Sequence, residues 1–122
     1  MYCFIHALWK VHQNGWSIID LRWPNTIEFN GSYYIIDAGE FAIQHGHKIH
    51  SEILKKFDKK SVVSSPASDI YMLKEMMRDL DEVWKYNPHA ISFMKELEKC
   101  YQNNSLESAL GHEFLIKPAD VI

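Results

Sequence analysis

Apolar residues recur every three or four positions in several stretches of this chain, and two β-prone runs flank a tight-turn pair. From Met1 to Gln13, Phe4, Leu8 and Val11 share one helical face, with Ile5 and His12 beside them. Asn14-Gly15 ends that helix, because glycine takes the left-handed backbone without a Cβ clash. From Asp69 to Trp84, Ile70, Leu73, Met77, Leu80 and Trp84 form a second stripe, widened by Met72, Met76 and Val83. A helix apolar on more than one side belongs in the interior, where each buried Leu, Ile or Met contributes roughly 1.5–3 kcal/mol. Ser68 is expected to cap it, and Ser61 to Ala67, with Ser64-Ser65-Pro66, reads as a linker. A third helix opens at Asn87-Pro88, turns Ala90, Met94, Leu97 and Tyr101 inward, and breaks at Asn103-Asn104. Asn104 and Glu107 have capping-box spacing ahead of a last short helix, which packs Leu106, Ala109 and Leu110. A further short helix is expected over Ser51 to Asp58, with Ile53, Leu54 and Phe57 inward.

Thr26-Ile27-Glu28-Phe29 and Tyr33 to Ile36 flank Asn30-Gly31, the strongest short hairpin signal. The apolar run Trp16 to Ile19 is expected to lie extended beneath that hairpin. Asp20 and Asn25 then fall on the loop entering the hairpin and Asp37 on the loop leaving it. Two carboxylates and an amide meet at one end of one small sheet.

The 122 residues hold one domain, and neither 47% hydrophobic nor 24% charged content departs from globular norms. A net charge of −3 gives no basic face, so no nucleic-acid partner is expected. No apolar run approaches the roughly 18 residues of a membrane span, and the N-terminus carries no basic leader. Cys3 and Cys100 lack metal or redox spacing and read as free thiols, consistent with a cytoplasmic or nuclear setting. His45, His47 and His50 form His-x-His-x-x-His, read as solvated histidines on a mobile loop rather than a zinc site. Lys55, Lys56, Lys59 and Lys60 read as a solvated face.

The segment from Asp20 to Gly39 resembles the catalytic segment of the eukaryotic protein-kinase family. There an aspartate, four residues, an asparagine and a β-hairpin precede Asp-Phe-Gly; here Asp20, Asn25 and Asp37-Ala38-Gly39 keep that order. His12 to Gly15 is similar to the His-x-x-Gly that ends the preceding helix. His50-Ser51-Glu52 resembles a loose Ala-Pro-Glu, and Ser68 to Leu73 the start of the central helix. Leu106 to Leu115 looks like the last helix of the large lobe.

The resemblance implies a mainly α fold with a small β-hairpin: a kinase-like large lobe without its small lobe, over 1–116, with a tail at 117–122. It implies that Asp20 accepts the substrate hydroxyl proton, Arg22 faces the transferred phosphate, and Asn25 and Asp37 hold Mg²⁺ with ATP. Gly39 would supply backbone freedom and Glu52 a structural carboxylate. Asp69 would accept backbone N–H bonds from the catalytic loop. The chain also departs from the family. Ile18-Ile19 replaces His-Arg, Ala38 replaces phenylalanine, and Lys74 stands where glycine is usual. No arginine lies between Tyr101 and Ser105 to pair with Glu52, and no Tyr or Thr lies between Asp37 and Glu52.

The first helix has no N-terminal cap, as expected of a chain that begins inside a domain. The Gly-rich loop and strand lysine of the small lobe are not among these residues. The expected activity is therefore Mg·ATP-dependent phosphoryl transfer to Ser or Thr of a protein substrate once a small lobe completes the site, with the chain inactive alone. The alternative is a pseudokinase-like binding module whose lobe-facing surface a partner covers. An unrelated helical protein would have no hairpin between Asn25 and Asp37.

Overall fold

Among the described residues the apolar stripes fold as three α-helices, and the rest of the architecture hangs from the middle one. The computed structural model describes residues 1–36, 39, 41–49, 63–80 and 85–115. The expected helix Ser51–Asp58, the four clustered lysines, His50, Val83, Trp84 and the tail from 117 lie outside the described residues.

Helix α1 spans Tyr2–Gln13 and buries Phe4, Ile5, Leu8 and His12. Its inward stripe is thus rotated slightly from the expected one, and Val11 is only half-buried. Helix α2 spans Pro66–Arg78, so it starts three residues before the expected Asp69. Pro66 is the reason: with φ preset and no N–H to lose, it suits the first turn. Ser65, not Ser68, is the N-cap, and Ser68 Oγ reaches back to accept the Ser65 N–H at 3.3 Å. Helix α3 spans Pro88–Asn103; as expected, the Asn87 side chain caps it, accepting from His89 and Ala90 N–H. It ends on Asn104 in the left-handed conformation (φ +56°). Asn104 forms no capping box with Glu107. Its Oδ1 instead accepts the Ala67 N–H at 2.7 Å, closing the first turn of α2, while Ser105 Oγ receives the Glu107 N–H. A 3₁₀ turn over Glu107–Gly111 follows.

The core is continuous. Ile70, Leu73, Met76 and Met77 of α2 pack with Phe4, Ile5 and Leu8 of α1, with Phe93 and Leu97 of α3, and with Leu106 and Ala109. The methionines are therefore core, filling space between helices. Lys74 joins α2 to α3: its Nζ pairs with Glu98 and lies 4.8 Å from the Tyr101 ring centroid.

Among the described residues two antiparallel two-stranded sheets flank the helices. Strands β2 (Thr26–Phe29) and β3 (Ser32–Ile35) form the expected hairpin, with Thr26 opposite Ile35 and Phe29 opposite Ser32. Asn30 and Gly31 both have positive φ (+51° and +78°), as this two-residue turn demands. The second sheet was not expected. Strand β1 (Trp16–Ser17) pairs not with the hairpin but with β4 (Ile43–Gln44), inside the segment read as a mobile loop. The following turn is held as well: Gly46 N–H bonds Ser64 O at 2.8 Å, Ser64 N–H bonds His47 O at 2.7 Å, and buried Ser64 Oγ accepts the His47 N–H. Ser64 is thus structural rather than part of a linker. Among the described residues no helix is long and apolar enough to cross a membrane.

Candidate functional site

The site is built outward from Asp69, the fourth residue of α2, whose side chain is fully buried. Its Oδ1 accepts the Ile19 N–H at 2.7 Å, and its Oδ2 accepts the Ile18 N–H and His12 Nε2–H, each at 2.8 Å. One carboxylate therefore joins the core helix, the end of α1 and the start of the loop that carries Asp20. Charge-assisted bonds of this kind are stronger than neutral ones. The tautomer of His12 follows from the bond: Nε2 carries the proton, and Nδ1 is buried with no partner among the described residues.

The two amides held by Asp69 lead into a strained turn. Asp20 N–H bonds back to Ile18 O at 2.9 Å, closing a three-residue γ-turn around Ile19 at φ +73°. A β-branched residue there is an outlier that costs on the order of 1–3 kcal/mol unless its surroundings impose it. Here the surroundings do so: Asp69 grips the Ile18 and Ile19 N–H groups at the entry to the turn, and Ile18, Ile19 and Leu21 are all buried. The turn reverses the chain and brings Asp20 to the rim, its side chain 14% exposed.

Asp20, Arg22 and Asn25 converge. Arg22 Nε lies 3.4 Å from Asp20 Oδ1. Asn25 Nδ2 donates to the Asp20 carbonyl at 3.1 Å and to Asp20 Oδ2 at 3.2 Å. With Nδ2 engaged there, Oδ1 is the acceptor atom of the Asn25 amide. Oxygen donors of this type suit Mg²⁺ carried by nucleotide phosphates. Asp37, the expected carboxylate ligand, and Glu52 lie outside the described residues. Gly39 is exposed, its φ is not left-handed, and an added Cβ would meet nothing within 4 Å, so the described surroundings do not demand a glycine.

Trp23 fixes the other end of the loop. Its Nε1–H donates to Met76 O at 2.9 Å. That carbonyl is near the end of α2, where Leu80 N–H turns instead to Met77 O at 3.1 Å, so the indole takes the place of a missing helical donor. The Trp23 ring meets Tyr33 edge-on at 6.0 Å, and Thr26 Oγ1 closes the Trp23–Asn25 turn by bonding Trp23 O. Ile36 N–H bonds Asn25 O at 2.8 Å, so the hairpin's second strand also supports the asparagine.

His45 belongs to the same neighbourhood, which corrects its reading as a solvated histidine. It is half-buried, its Nε2 lies 3.0 Å from Ser17 Oγ, and its ring centroid is 6.0 Å from that of His12. Burial first, and then the nearby His12 ring, push its pKa below the usual histidine value. No spacing rule could have found this pair, because it depends on β4 returning beside β1. His47 is exposed, and no cluster of three His, Cys, Asp or Glu suited to a metal occurs among the described residues. Cys3 and Cys100 are both free thiols, and burial pushes the Cys100 thiol up.

No protein-family model, characterised protein or solved structure matches this chain.

Proposed function

We propose that this chain carries the catalytic-loop half of a protein-kinase-like phosphotransferase, acting on Ser or Thr of a protein substrate when a nucleotide-binding lobe completes it. The observation that supports this best is the Asp69 joint. A buried carboxylate of the core helix grips two successive loop amides and presents Asp20, with Arg22 and Asn25, at the rim. In this reading Asp20 orients the substrate hydroxyl and accepts its proton, and Arg22 faces the transferred phosphoryl group. Asn25, with Asp37, holds the Mg²⁺ that neutralises the nucleotide phosphates. Phosphoryl transfer depends on positioning and charge neutralisation. A half-site lacking the Gly-rich loop and strand lysine therefore binds Mg·ATP weakly and does not turn over alone.

The test is a ¹H–¹⁵N NMR titration of the chain with ATP, with and without Mg²⁺. Mg²⁺-dependent shifts confined to Asp20–Asn25, including the Asn25 side-chain amide, and lost in Asn25→Ala, are expected. Their absence at millimolar Mg·ATP in a folded chain removes the nucleotide-binding reading. Phosphorylation of a generic protein by the chain alone, abolished by Asp20→Asn, would overturn its inactivity in isolation.

A second reading, a non-catalytic binding module, draws support from the outer hairpin face. Ile27, Phe29, Tyr34 and Ile36 are between 38% and 63% exposed, and contiguous apolar surface of this kind marks partner sites. It becomes the better reading if the titration shows no Mg·ATP response.

A further inference from the structure

The chain holds two Asn-Gly pairs, Asn14-Gly15 and Asn30-Gly31, and the fold holds them differently. In such a pair the backbone nitrogen that follows the asparagine is unhindered by a side chain and can attack the asparagine amide. Asn14 closes α1 and is tied at the groups this reaction needs. Its Nδ2 donates to Lys10 O at 2.9 Å, its own N–H to Lys10 O and Val11 O at 3.2 Å, and the Gly15 N–H to His12 O at 3.0 Å. Gly15 O in turn accepts the His45 N–H at 2.8 Å. At the hairpin tip Asn30 and Gly31 are both exposed, and neither the Asn30 side-chain amide nor the Gly31 N–H has a hydrogen-bond partner among the described residues. An added Cβ at Gly31 would meet nothing within 4 Å, and a cleft of about 350 Å³ beside the tip, walled by Tyr2, Cys3 and Phe114, gives a ring room to form.

We propose that Asn30 is a site of spontaneous deamidation whose isoaspartyl product unlocks the hairpin, while Asn14 is protected by the fold. The inference stands apart from the proposed phosphotransferase reading, since it concerns the far end of the hairpin, whatever the loop does.

The Gly31 nitrogen gives up its proton and attacks Asn30 Cγ. The new N–Cγ bond closes a five-membered succinimide, the Cγ–Nδ2 bond breaks, and ammonia leaves. Solvent water then opens the ring. Cleavage of the N–Cγ bond leaves aspartate, and cleavage at the backbone carbonyl leaves isoaspartate, with the chain running through Cβ and Cγ. Both pairs start in an unreactive geometry. A two-residue turn with positive φ at both positions sets the Asn30 ψ at about +30°, which turns the Gly31 nitrogen away from the side chain, and Asn14 has ψ +6°. Reaction at either pair therefore waits on a local opening. The tip opens by loosening one turn, whereas Asn14 opens only with the end of α1 and its link to His45. The two products differ in consequence. Aspartate keeps the turn, because Asp-Gly serves it as Asn-Gly does. Isoaspartate adds one backbone atom to a loop whose length sets the register, so the pairing from Phe29–Ser32 to Thr26–Ile35 loses the turn that fixes it. That loss reaches the far end of the hairpin, where the Ile36 N–H supports Asn25.

The experiment incubates the whole chain at pH 8 and 37 °C, folded and in guanidinium chloride. Peptide mass spectrometry with electron-transfer fragmentation then locates each product and separates isoaspartate from aspartate. In denaturant both pairs should convert at comparable rates, and in the folded chain Asn30 should convert at least about tenfold faster than Asn14. The isoaspartyl chain, isolated by chromatography, should lose amide-exchange protection across Thr26–Ile35 and keep it in α3. The aspartyl product of the same reaction should keep both. Equal rates at the two pairs in the folded chain, faster conversion at Asn14, or an unreacted Asn30 when the denatured chain has converted would each overturn the site. Intact hairpin protection in the isoaspartyl chain, or equal loss in the aspartyl one, would overturn the unlocking.

Discussion

Asp69 and Asp20 stand at the two ends of one γ-turn and are used in opposite ways. Asp69 is fully buried, and three donors from two other elements converge on it. Asp20 reaches the rim and meets Arg22 and Asn25, side chains two and five residues further on. The first carboxylate builds the loop and the second is presented by it. The contrast separates folding energy from exposed chemistry: a strained turn at Ile19 is tolerable because the group that imposes it takes no part in what the turn displays.

The sharpest way to break this comparison is to remove each carboxylate in turn. Asp69→Ala strands His12 and two buried amides, so urea unfolding should show a loss of about 3–5 kcal/mol. Asp20→Asn keeps a side chain of the same size that can still hydrogen-bond, so it should lose less, about 1 kcal/mol. Equal losses would mean that the rim aspartate is as structural as the buried one. Trp23→Phe keeps an aromatic ring but withdraws the donor from Met76 O, and about 1 kcal/mol should go in the same assay. No change would show that the indole only covers the loop. The smallest effect is expected at Glu98, remote from both aspartates. Its hydrogen bond from Lys74 holds its carboxyl below the ordinary 4.5. The sign is that of a depressed acid: its support is complete above pH 4.5 and lost as pH falls through the lower folded value. Because Glu98 is half exposed, Lys74→Met should remove only a slight acid-side slope from the stability profile.

How much of this was legible depended on where each interaction keeps its information. The hairpin was readable because Asn30-Gly31 meets a local demand for two positive φ angles. The start of α3 was readable because Asn87 and Pro88 act within one turn of each other. The start of α2 was misplaced because Ser65 and Ser68 are both competent caps and only Pro66 decides between them. The β1–β4 sheet left no trace, since two-residue strands are too short to show alternation. Asp69 was reached through a family resemblance and not through its neighbours. Its partners at Ile18 and Ile19 are backbone N–H groups, which nearly any residue supplies, so the identities of residues 18 and 19 do not announce those two bonds. The pairing of His45 with Ser17 spans 28 positions and is written only in the fold.

The reach of Asn104 has a consequence for the order in which the chain assembles. One side chain terminates α3 and supplies an acceptor for the first turn of α2, 37 positions earlier. During synthesis at roughly 5–20 residues per second, α2 emerges with its first turn short of that acceptor and waits seconds for it. The innermost helix is therefore completed at its own beginning only after α3 has been made.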